Sequence, residues 1–198
     1  MELLPLVFAS GWASGINAWG TVLVLGVLGR FSGIEGIPAA FQRTDVLIVV
    51  AVLCAAEVIV DKIPLVNSAW DAIATYVRPV AGAAIGVAWA TGMNLPTLVA
   101  MGVLGGAIAL ASHAIRDGLR LAVNATPQPF TNVAASVAGD VAVTGIATLI
   151  ALAPVAAAIV AALLLAVGVR ALNRVAARAQ EGRAQVAAWR ARRRGTDA

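Results

Sequence analysis

The 198-residue sequence has few of the side chains from which most catalytic and metal sites are built. It contains one cysteine, Cys54, and one histidine, His113, and charged residues make up 12% of the chain. A single cysteine excludes an intrachain disulfide, and one cysteine with one histidine excludes the common zinc ligand sets. The sequence also lacks a nucleophile elbow, a phosphate-binding loop and a dinucleotide fingerprint. We therefore expect no metal, no cofactor and no enzymatic activity.

Hydrophobic residues are abundant instead, at 61% of the chain with a mean hydropathy of +0.90. A soluble domain is closer to half apolar and a quarter charged. The apolar runs extend over almost the whole length and are separated by short polar turns, which predicts an all-α integral membrane bundle. We expect a transmembrane domain at 1–169 with about six transmembrane helices, at 3–28, 46–61, 79–93, 97–115, 132–152 and 154–169.

Positive charge is concentrated near the C-terminal end of the sequence. Residues 170–198 carry a net charge of +6, whereas the rest of the chain carries −2. Because cytoplasmic loops of membrane proteins are enriched in Lys and Arg, this pattern predicts an inner (plasma) membrane protein with both termini in the cytoplasm. We expect the tail at 170–198 to be a basic helix that binds anionic lipid headgroups of the bilayer rather than nucleic acid.

Two acidic residues, Glu57 and Asp140, lie inside predicted transmembrane helices. An ionised carboxylate at the bilayer centre costs about 2.5–3.5 kcal/mol on insertion scales, so such residues face the bundle interior and often have a function. Each acid has two interpretations. It is either a hydrogen-bonded group that fixes helix packing, or a proton or cation site in a polar path.

Other polar residues are candidates to line the same path. Asn17 lies in the first predicted span near Ser14 and Thr21, and these groups are suited either to a polar path or to hydrogen bonds between helices. Arg116, Arg120 and Asn124 share one face of the fourth helix. That stripe either extends the path or marks an amphipathic helix end at the cytoplasmic surface.

A second set of polar residues is predicted at the membrane interfaces. Ser68 begins a capping-box-like pattern, which predicts a short interfacial helix at 65–78 that leads into the third span. The interfacial set consists of Asp61, Lys62, Asp71, Arg78, His113 and Asp117.

The two halves of the sequence share a short motif. P-x-x-F precedes a predicted span at Pro38 to Phe41 and again at Pro127 to Phe130, and each of these spans contains one of the two acids. Three spans per half correspond to inverted topology, a transporter layout with its site near the bilayer midplane. The sequence therefore leaves open an arrangement of two inverted three-helix repeats within the chain. It also leaves open a homo-oligomer of several chains.

Three stretches of the sequence, 13–30, 56–83 and 113–141, contain the motifs G-I-N-A, D-K-I-P, W-D and P-x-P-F-x-N. Together they resemble a bacterial family of small multi-pass membrane proteins, domain of unknown function 4126, over about residues 5–153. The resemblance implies an integral membrane protein and no particular activity. The matching positions are Gly15, Ile16, Asn17, Glu57, Asp61, Lys62, Pro64, Trp70, Asp71, Arg78, Arg120, Asn124, Pro127, Pro129, Asn132 and Asp140.

These patterns favour a small transporter or channel in which buried carboxylates line a polar path. The alternative is a non-transporting membrane scaffold that binds lipid or a protein partner through its basic tail. An enzyme that acts on lipid ranks third, because the sequence contains no catalytic constellation.

Overall fold

The computed structural model describes the backbone of residues 3–60, 64–124 and 129–196, and the side chains of 3–60, 73–120, 134 and 136–183. Over these ranges the chain forms six α-helices and one short 3₁₀ helix, with no β-strand, so the predicted all-α class is confirmed. The helices are α1 (Leu3–Phe31), the 3₁₀ helix (Ala39–Gln42), α2 (Thr44–Val60), α3 (Pro64–Trp89), α4 (Leu95–Asn124), α5 (Pro129–Leu152) and α6 (Pro154–Thr196).

Helix α1 lies at the centre of the bundle and contacts each of the other five α-helices. It is apolar around most of its circumference, as expected for a helix that is buried on all sides. Its buried residues include small ones such as Ser10, Gly11, Ser14 and Gly15, which let neighbouring backbones approach closely.

Helices α3 and α4 share the most extensive contact among the described helices, and several glycines line it. A Cβ placed on Gly86 of α3 would overlap the carbonyl oxygen of Met101 on α4, and Gly82 lies similarly close to Gly105. Two backbones that touch at these positions gain dispersion energy, which is one of the sources of helix association in lipid. This interface fixes α3 and α4 as a unit beside α1.

Two predicted boundaries disappear in the structure. The expected interfacial helix at 65–78 and the third span at 79–93 form one continuous helix, α3, with Pro79 inside it. Proline inside a transmembrane helix is tolerated when neighbouring helices satisfy the freed backbone group. The sixth span and the basic tail are likewise one helix of 43 residues, because the Ala- and Arg-rich tail has high helix propensity.

Within the described parts of the chain, three stretches are long and apolar enough to cross a membrane, namely Leu3–Phe31, Leu95–Arg120 and Pro154–Arg183. Shorter apolar helices lie at Ile73–Trp89 and Ser136–Leu152. The 17 residues of α2 measure about 25 Å, less than the roughly 30 Å of a hydrocarbon core. The structure is therefore compatible with a membrane protein, while the count of six spans stays a prediction.

Candidate functional site

Helix α1 is broken at Asn17. This residue has extended backbone angles, φ −149° and ψ 99°, so one helical segment ends before it and another begins after it. Its side-chain oxygen accepts the backbone N–H of Gly20 at 2.7 Å, which is the geometry of an N-cap. Asn17 therefore starts a second helical segment in the middle of α1, a role that its sequence context did not suggest.

The end of the first segment of α1 is satisfied by a side chain from another helix. In an unbroken helix the carbonyl of Gly15 would accept the N–H of Trp19, and the break frees it. Arg78 of α3 donates from Nη1 to this oxygen at 2.9 Å. A guanidinium at a helix C-terminus interacts favourably with the helix dipole, so Arg78 stabilises the break as well as binding to it.

Glu57 of α2 is the anionic partner of Arg78. Both side chains are buried, at 2% and 3% exposure, and Arg78 donates from Nη2 to Glu57 Oε1. Arg116 of α4 lies 3.9 Å from the same carboxylate oxygen through its Nη1. The carboxylate is thus held between two guanidiniums from two different helices.

His113 of α4 extends this set of contacts. Its Nδ1 lies 3.0 Å from Arg78 Nη1, and its Nε2 lies 3.2 Å from Thr75 Oγ1 and 3.1 Å from Asp117 Oδ2. A guanidinium only donates, so Nδ1 must accept and the proton must be on Nε2, facing the Asp117 carboxylate. The hydrogen-bond network therefore assigns a neutral imidazole. We call Glu57, Arg78, His113, Arg116 and Asp117 the charge cluster.

Arg78 and His113 were predicted at a membrane interface, and in the structure both side chains are buried between helices, while their depth in the membrane stays a prediction. Arg78 was placed there because the third span was predicted to begin at Pro79, whereas α3 continues through both residues and carries Arg78 into the bundle. His113 is 1% exposed because α4 faces α1 and α3 at this level. Asp117, one turn further along, keeps 26% of its side chain exposed.

Asp140 of α5 reaches the break in α1 from another side. Its Oδ1 lies 3.5 Å from Asn17 Nδ2, a long contact for a hydrogen bond. Cys54 of α2 lies close enough to interact with Asn17, Glu57 and Asp140. Both acids singled out from the sequence are therefore brought to the same break, Glu57 through Arg78 and Asp140 through Asn17.

Of the remaining predicted site residues, the structure describes the side chain of Arg120. Arg120 is buried on α4, at 9% exposure, one turn beyond Arg116. The side chains of Asp61, Lys62, Asp71 and Asn124 lie outside the described residues.

Two neighbouring cavities lie along the seam between α2 and α3, over α1. The first, of about 50 Å³, is bounded by Glu57 and Arg78 and is large enough to hold water. The second is an apolar groove of about 320 Å³. Ala18 and Trp19 line both, so the two spaces are adjacent. The groove is lined by Ala18, Trp19, Val22, Ala40, Phe41, Val46, Val50, Ala81, Ala84, Ile85 and Ala88.

The fold is thus a bundle with helices long enough to cross a membrane and a buried charge cluster at its central helix. The chain belongs to the family described as Domain of unknown function (DUF4126), which matches residues 4–174. The match includes all five members of the charge cluster, Asn17 and Asp140, and it confirms the resemblance seen in the sequence. No curated protein and no solved structure matches the chain.

Proposed function

We propose that the chain is a small membrane transporter whose substrate path passes the break in α1. The observation that carries the proposal is the interruption of a long apolar helix beside a buried charge cluster. Irregular backbone at membrane depth occurs only where it is buried in protein or lines a cavity. In secondary transporters, broken helices supply the helix ends that bind ions and substrates near the midplane.

The position of the break supports this proposal. Asn17 is the central residue of α1, which runs from Leu3 to Phe31. A helix that crosses the bilayer over this length has its centre near the midplane, where transporters bind their substrates. The break, Glu57 and Asp140 would then lie near the midplane of the bilayer, where the energy barrier for an ion is highest.

The balance of charge within the cluster gives Glu57 a specific role. Glu57 and Asp117 carry two negative charges, Arg78 and Arg116 carry two positive ones, and His113 is neutral. Protonation of Glu57 would leave one positive charge in excess in a region of low dielectric, at a cost of several kcal/mol. The protein offsets that cost by moving the helices or by binding another anion, and either response couples a proton to transport.

Location and orientation form part of the proposal. We place the chain in the inner membrane with both termini in the cytoplasm, on the same side as the basic residues of α6. Its partners would be the lipid bilayer and anionic headgroups near α6.

A membrane scaffold is the second candidate function, and the length of α6 favours it. Its 43 residues measure about 64 Å, roughly twice the thickness of a hydrocarbon core. Leu172 packs against Gly118 of α4, whereas Arg170, Arg174 and Arg178 are exposed. This basic helix would bind anionic headgroups or an acidic partner, and the charge cluster would then serve packing alone.

Chemical labelling of Cys54 distinguishes the two functions. This residue is the only thiol in the chain and lies beside the break, so the wild-type protein reports directly on water access. In right-side-out and in inverted membrane vesicles, we expect a membrane-impermeant thiosulfonate to modify Cys54 from both faces. The reason is that a transporter exposes its path to each side in turn.

The control for this experiment is Ser32→Cys in a Cys54→Ser background. Ser32 is exposed at the end of α1, so its thiol should react from one face only. If Cys54 reacts from only one face, or from neither, the transporter is contradicted and the scaffold is favoured.

A further inference from the structure

The seam between α2 and α3 combines an apolar groove with a charged end. The groove of about 320 Å³ is lined by apolar side chains alone, and the smaller cavity next to it is bounded by Glu57 and Arg78. Small-molecule sites have volumes of about 300–1,000 Å³ and combine mostly apolar walls with a few polar groups. The seam has both properties of such a site.

The lining of the groove favours a hydrocarbon chain. Many of its wall residues are alanines, among them Ala40, Ala81, Ala84 and Ala88, whose small side chains leave space between the helices. α2 packs mainly on α1 and makes only weak contact with α3, so the groove is open along the seam. Transfer of a hydrocarbon chain from water into the groove is favourable by about 0.8 kcal/mol for each CH₂, a gain that the bilayer offers as well, so selectivity for this site rests on the head group.

The charge of Arg78 determines which ligand head group can bind in the cavity beside Glu57, at the charged end of the groove. Its guanidinium already binds Gly15 and His113, and Glu57 neutralises it. A guanidinium stays protonated in proteins, so when Glu57 takes up a proton Arg78 keeps its charge. An anionic group that enters from the groove would then replace the Glu57 carboxylate on Arg78, with no change in the net charge of the site.

Proton uptake by Glu57 together with the binding of an anion is the simplest charge change that the groups around Glu57 allow. Arg116 is the second guanidinium beside Glu57, and His113 already accepts a hydrogen bond from Arg78 as a neutral ring. Among the side chains that the structure describes, the other titratable groups near this region are Asp117 on α4, Cys54 on α2 and Asp140 on α5.

We infer that the α2–α3 seam binds an amphipathic anion, with its hydrocarbon chain in the groove and its head group on Arg78. Binding takes up one proton from solution at Glu57, whose carboxylate becomes a carboxyl group and leaves the guanidinium. Since such coupling is reciprocal, the anion favours protonation of Glu57 as much as protonation favours the anion. This inference rests on the proposed transporter and names its substrate class.

The test is the binding of 1-octanesulfonate to the protein in lipid nanodiscs, measured by calorimetry between pH 5 and 8 with empty nanodiscs as the reference. This probe keeps its charge throughout that range. We expect its Kd to fall as the pH falls, by up to about tenfold per pH unit for one linked proton. Octanol and octyltrimethylammonium, which offer no anion to Arg78, should show no such dependence.

Two pairs of variants sharpen the test. Glu57→Gln resembles the protonated state and should bind the sulfonate tightly at every pH, while Glu35→Gln, an identical change in an exposed loop, should behave as wild type. Ala84→Phe should fill the groove and weaken binding at least tenfold. Ala55→Phe, at an exposed position of α2 outside the groove, should leave binding unchanged.

Wild-type binding that does not depend on pH, or a pH dependence that persists in Glu57→Gln, would overturn the inference. Its failure is distinguishable from failure of the transporter. If Cys54 reacts from both faces but the sulfonate does not bind, the transporter stands and the substrate class is wrong. If the sulfonate binds with the expected pH dependence but Cys54 is not reached, the site stands and transport is wrong.

Discussion

Arg78→Leu is expected to lower the free energy of unfolding by about 3–5 kcal/mol, since removal of one member of a buried ion pair leaves the other in a low dielectric. The substitution takes away the guanidinium that Glu57 binds and also the donor to the carbonyl of Gly15. Thermal unfolding of the detergent-purified protein, followed by the fluorescence of its five tryptophans, measures the effect. Arg174→Leu, at an exposed position of α6, should have no measurable effect.

The double variant Glu57→Leu/Arg78→Leu separates structure from function. Replacement of a whole buried ion pair by apolar side chains is often neutral or stabilising, so we expect this variant to regain most of the stability lost in Arg78→Leu. A variant that is stable but no longer binds the sulfonate would show that the pair serves function. If Arg78→Leu is as stable as wild type, the ion pair at the break is contradicted.

Gly86→Ala is expected to be the most damaging single-methyl substitution on α3. The added Cβ would overlap the backbone oxygen of Met101, and a backbone atom cannot move aside as a flexible side chain can. Overpacking of this kind costs about 1–3 kcal/mol and sometimes more, so we expect a clear fall in Tm. Gly86→Leu should prevent recovery of monodisperse protein altogether.

The matched control is Gly145→Ala on α5. Nothing lies within 4 Å of the position that its Cβ would take, so the methyl group meets no neighbour. Glycine is less favourable than alanine inside a helix by about 1 kcal/mol, and this variant should therefore be as stable as wild type or slightly more so. Equal losses of stability at Gly86 and Gly145 would contradict the close α3–α4 interface.

The sequence predicts the all-α class and the family, because apolar composition and local motifs carry that information. The charge cluster is harder to predict, since Glu57, Arg78 and His113 lie on three different helices. Their pairing depends on how α2, α3 and α4 pack around α1, and no local pattern encodes that packing. Arg78 was predicted at a membrane interface because the third span was expected to begin at the next residue, Pro79.

The sequence also gives only a weak local signal for the break in α1. Asn17 is a good N-cap residue, but it lies in an apolar run without a proline to mark a break. The inverted repeat stays a prediction. α4, the counterpart of α1 in the second half, runs as one helix, and the second P-x-x-F motif begins at Pro127, outside the described residues.

We propose that the break and Glu57 couple the uptake of a proton to the movement of an anion across the membrane. Proton uptake into proteoliposomes tests it most directly, with a pH-sensitive dye inside, an inward gradient of 1-octanesulfonate and the membrane potential clamped. We expect the wild-type protein and Glu35→Gln to acidify the interior, and Glu57→Gln to do so at least tenfold more slowly. Wild-type vesicles that acidify no faster than protein-free vesicles would contradict the claim.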